Sequence, residues 1–193
     1  MRSTPLKDVR CVVFGAGGFI GTNLCRRLLG ATAQLRAFGR RKSFPAALDG
    51  IRWFQGDFTD RAAVAAALEG CTTVVHLQSA TNAASANADM LADLNANVAP
   101  TLQLLEACRL SGVKKIVFIS SGGTVYGIPS QIPTPESAPL APITAYGVSK
   151  LSIERYIALY QHLHGIEYAI LRVSNPYGPY QSAAKGQGVI SAF

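Results

Sequence analysis

Residues 10–21 read RCVVFGAGGFIG, an apolar run followed at once by a turn rich in glycine. The apolar run is typical of a buried strand, and Phe19–Leu29 repeats apolar residues at helical spacing. Gly15, Gly18 and Gly21 therefore lie where a strand turns into a helix. Such a turn needs small residues when the chain must bend sharply, the backbone must contact a pyrophosphate and the helix must pack closely on the sheet. The stretch predicts a dinucleotide-binding strand–turn–helix unit.

The same alternation of strands and helices continues along the chain. Strands separated by helices form parallel pairs with right-handed crossovers, and continuously apolar strands agree with a sheet buried on both faces. We expect an α/β fold, a doubly wound parallel sheet (Rossmann-like) with helices on both faces. The predicted strands are Arg10–Phe14, Gln34–Phe38, Ile51–Phe54, Thr72–Leu77, Lys115–Ile119 and Glu167–Arg172. The predicted helices are Phe19–Leu29, Arg61–Glu69, a long one over 88–110 that Pro100 kinks or splits, and Ala145–His164.

Composition excludes several classes of protein. The chain is 49% hydrophobic and 15% charged, which excludes intrinsic disorder. No apolar run approaches the roughly 18 residues that span a bilayer, and Lys7, Asp8 and Arg10 stand where a signal peptide would be apolar. We therefore expect a soluble, cytoplasmic protein without a membrane partner. Its four cysteines form no C-x-x-C pair, and we expect free thiols and no metal site (Cys11, Cys25, Cys71 and Cys108).

The net charge of +7 is unevenly distributed, since six of the eighteen Lys and Arg residues fall within residues 26–42. Such a window fits generic surface charge, a bound phosphate or nucleic acid. It lacks the aromatic interleaving of a single-strand binding surface and any recognition-helix pattern, so we predict no nucleic-acid partner.

The end of the second strand bears on the choice of cofactor. It reads Phe38-Gly39-Arg40-Arg41-Lys42, without the carboxylate that usually binds the ribose hydroxyls of NAD. An arginine binds a 2′-phosphate bidentately, whereas a carboxylate repels it. Arg40, with Arg41 or Lys42, therefore favours NADP(H), the alternative being that these side chains are only solvated.

A second motif, Tyr146-Gly-Val-Ser-Lys150, opens the last predicted helix. A spacing of four places the phenol and the ammonium on one helix face. A nearby positive charge should lower the tyrosine pKa from its ordinary value of about 10, which would make Tyr146 a general acid or base. Elsewhere, Asp57 is a candidate hydrogen-bond acceptor for an adenine, and Asp60 a candidate helix cap. We expect His76 to be packed at a strand end rather than catalytic.

Taken together, the motifs resemble the extended short-chain dehydrogenase/reductase superfamily, in particular its nucleotide-sugar epimerases and dehydratases, the UDP-galactose 4-epimerases among them. The similar segments include GAGGFIG at residues 15–21, FISSGGTVYG, YGVSK, and LRVSNPYGP at residues 171–179. The resemblance implies an enzyme that binds NAD or NADP, with Tyr146 as acid/base and Lys150 on the nicotinamide ribose. It implies further cofactor contacts from Gly15, Gly18, Phe19, Ile20, Gly21, Asp57, Phe58, Leu77, Gln78, Asn97, Ser120, Asn175 and Pro176.

The chain departs from this superfamily in two respects. Gly122 stands at the position of the catalytic Ser or Thr, so that role passes to Thr124, our first choice, to Ser121 or to water. Relatives also continue into a sugar-nucleotide-binding lobe. We therefore expect residues 1–180 to form the NAD(P)-binding domain and 181–193 to begin a truncated substrate lobe, in a fragment rather than a reduced protein.

The resemblance leaves several functions open. The first is a 4-epimerase acting on a nucleotide sugar, with a UDP-sugar favoured, in which Tyr146 removes the proton of the 4-hydroxyl. A 4,6-dehydratase is disfavoured because Gly122-Gly123-Thr124 replaces its usual Asp-Glu pair. An NADPH-dependent carbonyl or ketosugar reductase is favoured if Arg40 and Arg41 bind a 2′-phosphate, and a catalytically silent dinucleotide-binding module is a third alternative. A homodimer through the Tyr146-bearing helix is also compatible with the sequence.

Overall fold

The structure, a computed structural model, describes residues 5–40 and 46–181. Six parallel strands form one sheet, and each predicted strand is confirmed with its ends moved by at most two residues. The order of the strands across the sheet is 3-2-1-4-5-6, so the direction of winding reverses between the first and the fourth. This reversal opens a crevice at the carboxyl ends of these two strands, where ligands bind in such folds. The strands are β1 (Arg10–Phe14), β2 (Gln34–Gly39), β3 (Arg52–Gln55), β4 (Thr73–His76), β5 (Lys115–Ser121) and β6 (Glu167–Val173).

Helices cover both faces of the sheet, as predicted. Successive residues of a strand point to opposite faces. Phe14 packs with residues of α2 (Arg61–Leu68), α5 (Ala99–Leu110) and α6 (Ala145–His164) on one face, and its neighbour Val13 packs with α1 (Phe19–Leu28) on the other. Phe14 and Phe118 are completely buried, which contributes about 2 kcal/mol each. The helices are α1 (Phe19–Leu28), α2 (Arg61–Leu68), α3 (Ala83–Ala88), α4 (Met90–Asp93), α5 (Ala99–Leu110) and α6 (Ala145–His164), with short 3-10 turns at Leu6–Asp8 and Ala46–Leu48.

The region predicted as one helix over 88–110 is divided differently. It begins earlier, at Ala83, and it breaks at Asp89, whose side chain caps α4 by accepting from the amide of Ala92. A turn of π-helix over Leu94–Val98 then joins α4 to α5. The predicted disruption arises because Pro100 has no N–H to donate, but the fold accommodates it within this wider turn immediately before the proline, where the amide of Ala99 reaches back to the carbonyl of Leu94.

The proline-rich stretch Ile128–Pro142 has neither helix nor strand, and Ile128 and Ile132 are more than four-fifths exposed. It therefore runs over the surface, which fits the five prolines that the stretch contains. Among the described residues, no helix has the length and apolar character needed to cross a membrane. The predicted boundary of a second lobe at residue 181 stays a prediction, because residues 182–193 lie outside the described ranges.

Candidate active site

The glycine turn after β1 is packed too closely for side chains. Gly15 has a left-handed φ of +84°, and a Cβ there would lie 3.0 Å from the amide nitrogen of Gln78 at the end of β4. A Cβ on Gly21 would lie 2.3 Å from the carbonyl oxygen of Gly15, so the first turn of α1 rests directly on the loop. Gly18 begins α1 without a side-chain cap. The amides of Phe19 and Ile20 therefore stand at a bare helix N-terminus, which suits a phosphate.

Past the end of β6, the chain crosses to α1, the helix that follows the glycine turn. The side-chain amide of Asn23 donates to the carbonyl of Pro179 at 2.8 Å, and Arg26 Nη1 lies 2.8 Å from the hydroxyl of Tyr180. The predicted cofactor residues Asn175 and Pro176 are exposed at the start of this crossing. The structure therefore brings the last predicted motif to the same edge of the sheet as the first.

The ends of β2 and β3 carry the residues predicted to face the adenosine half of a cofactor. A Cβ on Gly39 would lie 3.1 Å from the ring of Trp53, so a carboxylate at that position would displace the ring. Arg40 is exposed, and Arg41 lies outside the described residues. Hydrogen bonds from Thr59 lower the pKa of the Asp57 carboxyl, and the charge of Arg40 adds to the effect. A cation and a carboxylate are thus both available at this end of the crevice.

Phe58 does not present its ring to this crevice. The ring is 7% exposed, and its centroid lies 5.6 Å from that of Phe14 in the core. A contact between residue 58 and an adenine would therefore use the backbone. The equivalent segment after β4 is more open, because Leu77 and Gln78 are half-buried beside Gly15.

Tyr146 and Lys150 lie in the first turns of α6. The side chain of Thr144 caps this helix by accepting from the amide of Gly147, and Asn87 accepts from the amide of Ala145. The ammonium nitrogen of Lys150 lies 5.5 Å from the centroid of the Tyr146 ring, which confirms that the two share one helix face. The predicted pair is therefore present as a spatial unit.

We predicted that Lys150 lowers the pKa of Tyr146, but the groups of the protein together raise it. Burial raises the pKa of the Tyr146 phenol, the Asp93 carboxylate raises it further, and only an interaction with the Ser79 hydroxyl opposes the rise. The physical reason is that the phenol is largely out of water, which disfavours its charged form.

Lys150 is itself buried, and its ammonium loses its proton more readily than that of an exposed lysine. Its side chain is 6% exposed, and its ammonium donates to the carbonyl of Ile119 at 3.1 Å. Burial lowers the pKa of Lys150 to about 8, while Asp93 and Glu154 oppose that change. Ser120, predicted to contact the cofactor, instead donates its hydroxyl to Glu154 and is 3% exposed. Glu154 is also paired with Arg172, at 2.8 Å between Oε2 and Nη2.

The loop after β5 explains the glycine at 122. A Cβ there would lie 2.7 Å from the carbonyl oxygen of Arg172, so no hydroxyl-bearing side chain fits without movement. The hydroxyl of Thr124 is buried and has no hydrogen-bond partner among the described residues, whereas Ser121 is half-buried at the end of β5. The carbonyl of Thr124 would lie 2.8 Å from a Cβ on Gly147, so this loop packs directly beside the turn of Tyr146. Thr124 is therefore the candidate whose hydroxyl lacks a partner, Ser121 is the candidate whose side chain is partly accessible, and the choice between them stays a prediction.

Asn97 lies on the π-helical turn and is 8% exposed. Its side-chain oxygen accepts from the amide of Ala80 at 2.8 Å, and its backbone carbonyl accepts from Thr101. Thr101 donates its only hydroxyl proton to that carbonyl, so Nε2 of His76, 2.9 Å from Thr101, must be the donor in this contact. Burial lowers the pKa of His76 to about 3, and the neutral ring packs between Phe58 and Phe118, as expected of a core histidine.

Sequence reasoning missed the polar groups that surround the pair. Asp93 accepts from Ser149 and Thr81, and no motif contains it. Its spacing of four before Asn97 on a helical pattern is the one signal that could have indicated a shared face. Ser79 carries no such signal, because loop residues have no periodicity.

A glycine turn at the switch point of a parallel sheet, with a tyrosine–lysine pair at the same edge, defines a dinucleotide-binding protein of the Rossmann-like class. The profile of the NAD dependent epimerase/dehydratase family matches residues 11–193. The chain belongs to this family.

Individual relatives agree with this assignment. The UDP-glucose 4-epimerase of Mycolicibacterium smegmatis is 33% identical over 193 residues, which cover 96% of this chain and 62% of the relative. The dTDP-glucose 4,6-dehydratase of Mycobacterium tuberculosis is 31% identical, over 92% of this chain and 56% of the relative. The crystal structure of the Thermus thermophilus UDP-glucose 4-epimerase in complex with NAD superposes with a TM-score of 0.84 at 31% identity, covering 94% of this chain and 59% of that one. The chain thus spans about 60% of the length of these relatives.

Proposed function

We propose that the protein is a nucleotide-sugar 4-epimerase, and that Tyr146 is its acid/base. The observation that carries this proposal is the placement of the Tyr146–Lys150 pair beside the loop of Thr124, at the edge of the sheet where the glycine turn lies. A bound nicotinamide supplies the group that accepts and returns a hydride. Tyr146 takes the proton of the sugar 4-hydroxyl and later returns it. Because burial raises the pKa of Tyr146, the phenolate that forms depends on positive charge nearby, which the ammonium of Lys150, 5.5 Å from the ring centroid, and a bound oxidised nicotinamide would supply.

The hydroxyl of Thr124 takes the place of the missing side chain at Gly122. It is buried without a partner among the described residues, so it is free to accept or donate a hydrogen bond, and a substrate hydroxyl would reach it only after the loop or the side chain moves. Gly122-Gly123-Thr124 offers no carboxyl group for the elimination of water, and this supports an epimerase over a 4,6-dehydratase. A UDP-sugar is the proposed substrate class, because the Mycolicibacterium smegmatis relative is named for UDP-glucose.

For the cofactor we propose NADP(H) in preference to NAD(H), within a family described as NAD dependent. Arg40 is exposed at the end of β2, and the Trp53 ring occupies the space that a side chain at Gly39 would need. If NADP(H) is bound more tightly, a ketosugar or carbonyl reductase becomes the second candidate, since a reductase releases its oxidised cofactor and an epimerase keeps it.

Cofactor binding and turnover are tested separately. Trp53, the only tryptophan, lies within 3.2 Å of the space beside Gly17, so its fluorescence should report titration with NAD(H) or NADP(H). Conversion of UDP-glucose to UDP-galactose is followed by chromatography. We expect Tyr146→Phe to abolish turnover and keep cofactor affinity, and Tyr168→Phe, in β6 and remote from the site motifs, to change neither. Full turnover by Tyr146→Phe would refute the acid/base assignment, and cofactor binding without any turnover in the parent chain would favour a silent binding module.

We also propose that two copies associate through α6. Val148, Leu159 and Leu163 are 50%, 44% and 58% exposed along one side of this helix, beside a groove of about 430 Å³. Light scattering should then give twice the chain mass, and Leu159→Glu should halve it. Leu110→Glu, at an exposed position of α5, is the matched control. A cytoplasmic location is proposed because all four cysteines are free and buried.

A further inference from the structure

Asp93 is a buried carboxylate that has no role in the proposed mechanism. It is the last residue of α4 and is 1% exposed. It accepts hydrogen bonds from the hydroxyls of Ser149 and Thr81 and from the side-chain amide of Asn97, the last at 2.9 Å. Among the described residues it forms no ion pair. A buried carboxylate is costly unless its oxygens are satisfied, and here three donors satisfy them.

The three donors belong to three different segments of the site. Ser149 lies in the first turns of α6, next to Lys150. Thr81 lies in the loop after β4, and Asn97 lies on the π-helical turn. Asn97 also closes the cluster, because its amide donates to the hydroxyl of Thr81 at 2.8 Å and its oxygen accepts from the amide of Ala80. The Asp93 carboxylate therefore connects, through hydrogen bonds, the three segments that surround the site.

We propose that Asp93 is a positioning residue that fixes the start of α6, and with it Tyr146 and Lys150, against Asn97 and the loop after β4. The proposal rests on the proposed function only for the roles of Tyr146 and Lys150. Further side-chain hydrogen bonds at this helix start run from backbone amides to Thr144 and Asn87 and from the Lys150 ammonium to the carbonyl of Ile119, and none of these joins α6 to the π-helical turn.

The charge of Asp93 supplies a readout that a purely structural contact would not have. The carboxylate raises the pKa of Tyr146 and opposes the burial that lowers the pKa of Lys150. The other charged or titratable groups at this pair are Glu154 of α6, paired with Arg172 of β6, and His76 of β4, which is neutral. Removal of the Asp93 charge should therefore lower the pKa of both members of the pair.

The test compares Asp93→Asn, which removes the charge and keeps the shape, with Ser149→Ala, which keeps the charge and cuts the tie to α6. Tyr146 is titrated by NMR with ¹³Cζ-labelled tyrosine, and its resonance is assigned from Tyr146→Phe. We expect the midpoint to move to lower pH in Asp93→Asn only. We expect amide exchange at residues 148–150 to accelerate about tenfold in both variants, since each loses hydrogen bonding at the helix start.

Asp89→Asn is the matched control, because Asp89 is an exposed carboxylate that caps the same short helix, α4. It should leave both readouts unchanged. An unmoved Tyr146 midpoint in Asp93→Asn, or unchanged exchange in Ser149→Ala, would overturn the proposal, and Ser149→Ala decides alone if Asp93→Asn does not fold. Neither readout requires turnover, so an inactive parent chain would refute the proposed function and leave this test intact.

Discussion

Replacement of Lys150 by methionine should change how the stability of the protein depends on pH. Lys150 is 6% exposed, and burial lowers its pKa from 10.5 to about 8. A difference of that size corresponds to about 3 kcal/mol of free energy. This free energy is the cost of burying the charged ammonium in the folded protein. The Lys150→Met variant has no charge at this position and does not have this cost.

The sign of the effect follows from proton binding. Below pH 8 the lysine is charged in both the folded and the unfolded state, and the cost is present in full. Between pH 8 and 10.5 the unfolded chain binds a proton that the folded protein has released, so the free energy of unfolding rises with pH. Above 10.5 the contribution is constant. The difference in free energy of unfolding between the parent and Lys150→Met should therefore rise by about 3 kcal/mol over this window.

The measurement is urea unfolding at several pH values from 7.5 to 10.5, followed by the fluorescence of Trp53. Lys115→Met is the matched control, because Lys115 is a partly exposed lysine of β5 whose ammonium lies 3.9 Å from Glu167. Its difference from the parent sets the baseline for losing a lysine at a solvated site. If the difference in free energy of unfolding between the parent and Lys150→Met depends on pH no more than that of Lys115→Met, burial does not lower the pKa of Lys150, and the reasoning is refuted.

Three further substitutions test the site. Gly21→Ala places a Cβ 2.3 Å from the Gly15 carbonyl, so it should destabilise the fold by about 2 kcal/mol and weaken cofactor binding, whereas Gly123→Ala meets open space and should stay within about 0.5 kcal/mol of the parent in urea unfolding. Arg40→Ala should raise the Kd for NADP(H) about tenfold in a fluorescence titration and leave that for NAD(H) unchanged; equal losses for both would contradict the proposed preference. Thr124→Val removes a buried unpaired hydroxyl, so it should stabilise the fold by about 1 kcal/mol while lowering kcat at least tenfold, and an unchanged kcat would exclude this hydroxyl from the reaction.

The fold could be predicted from the sequence because strands and helices are indicated by local patterns of residues. The bounds predicted for Arg10–Phe14, a buried apolar run, and for Ala145–His164, a long helical stretch, are the observed ones, and the structure shows that Thr144 caps the helix and Gly165 ends it. The way in which residues 83–110 divide into separate helices could not be predicted in detail. A proline predicts a disruption, but whether the helix kinks, breaks or widens depends on which neighbours compensate for the lost hydrogen bond.

The residues of the site could be predicted only where they belong to a sequence motif. Gly15, Gly21 and the Tyr146–Lys150 pair lie where the motifs place them, since their spacing translates directly into geometry. The pKa of Tyr146 was predicted in the wrong direction, because burial depends on what packs around the phenol, and sequence spacing does not report that. The Asp93 cluster was missed for the same reason, since it exists only after three distant segments meet.

The π-helical turn at Leu94–Val98 makes the length of this region as important as its composition. Such a turn holds one residue more than an α-helical turn. Deletion of Ala96, combined with Pro100→Ala, would let 90–110 run as one regular helix. Because the deletion removes only the extra residue that the wider turn accommodates, the segments before and after it would keep nearly the same relative orientation, and Asp93 would stay on the side of the helix that faces Ser149. A shorter and straighter helix would in this way keep Asp93 beside α6, and its main effect would fall on Asn97, which would stand three residues after Asp93 instead of four.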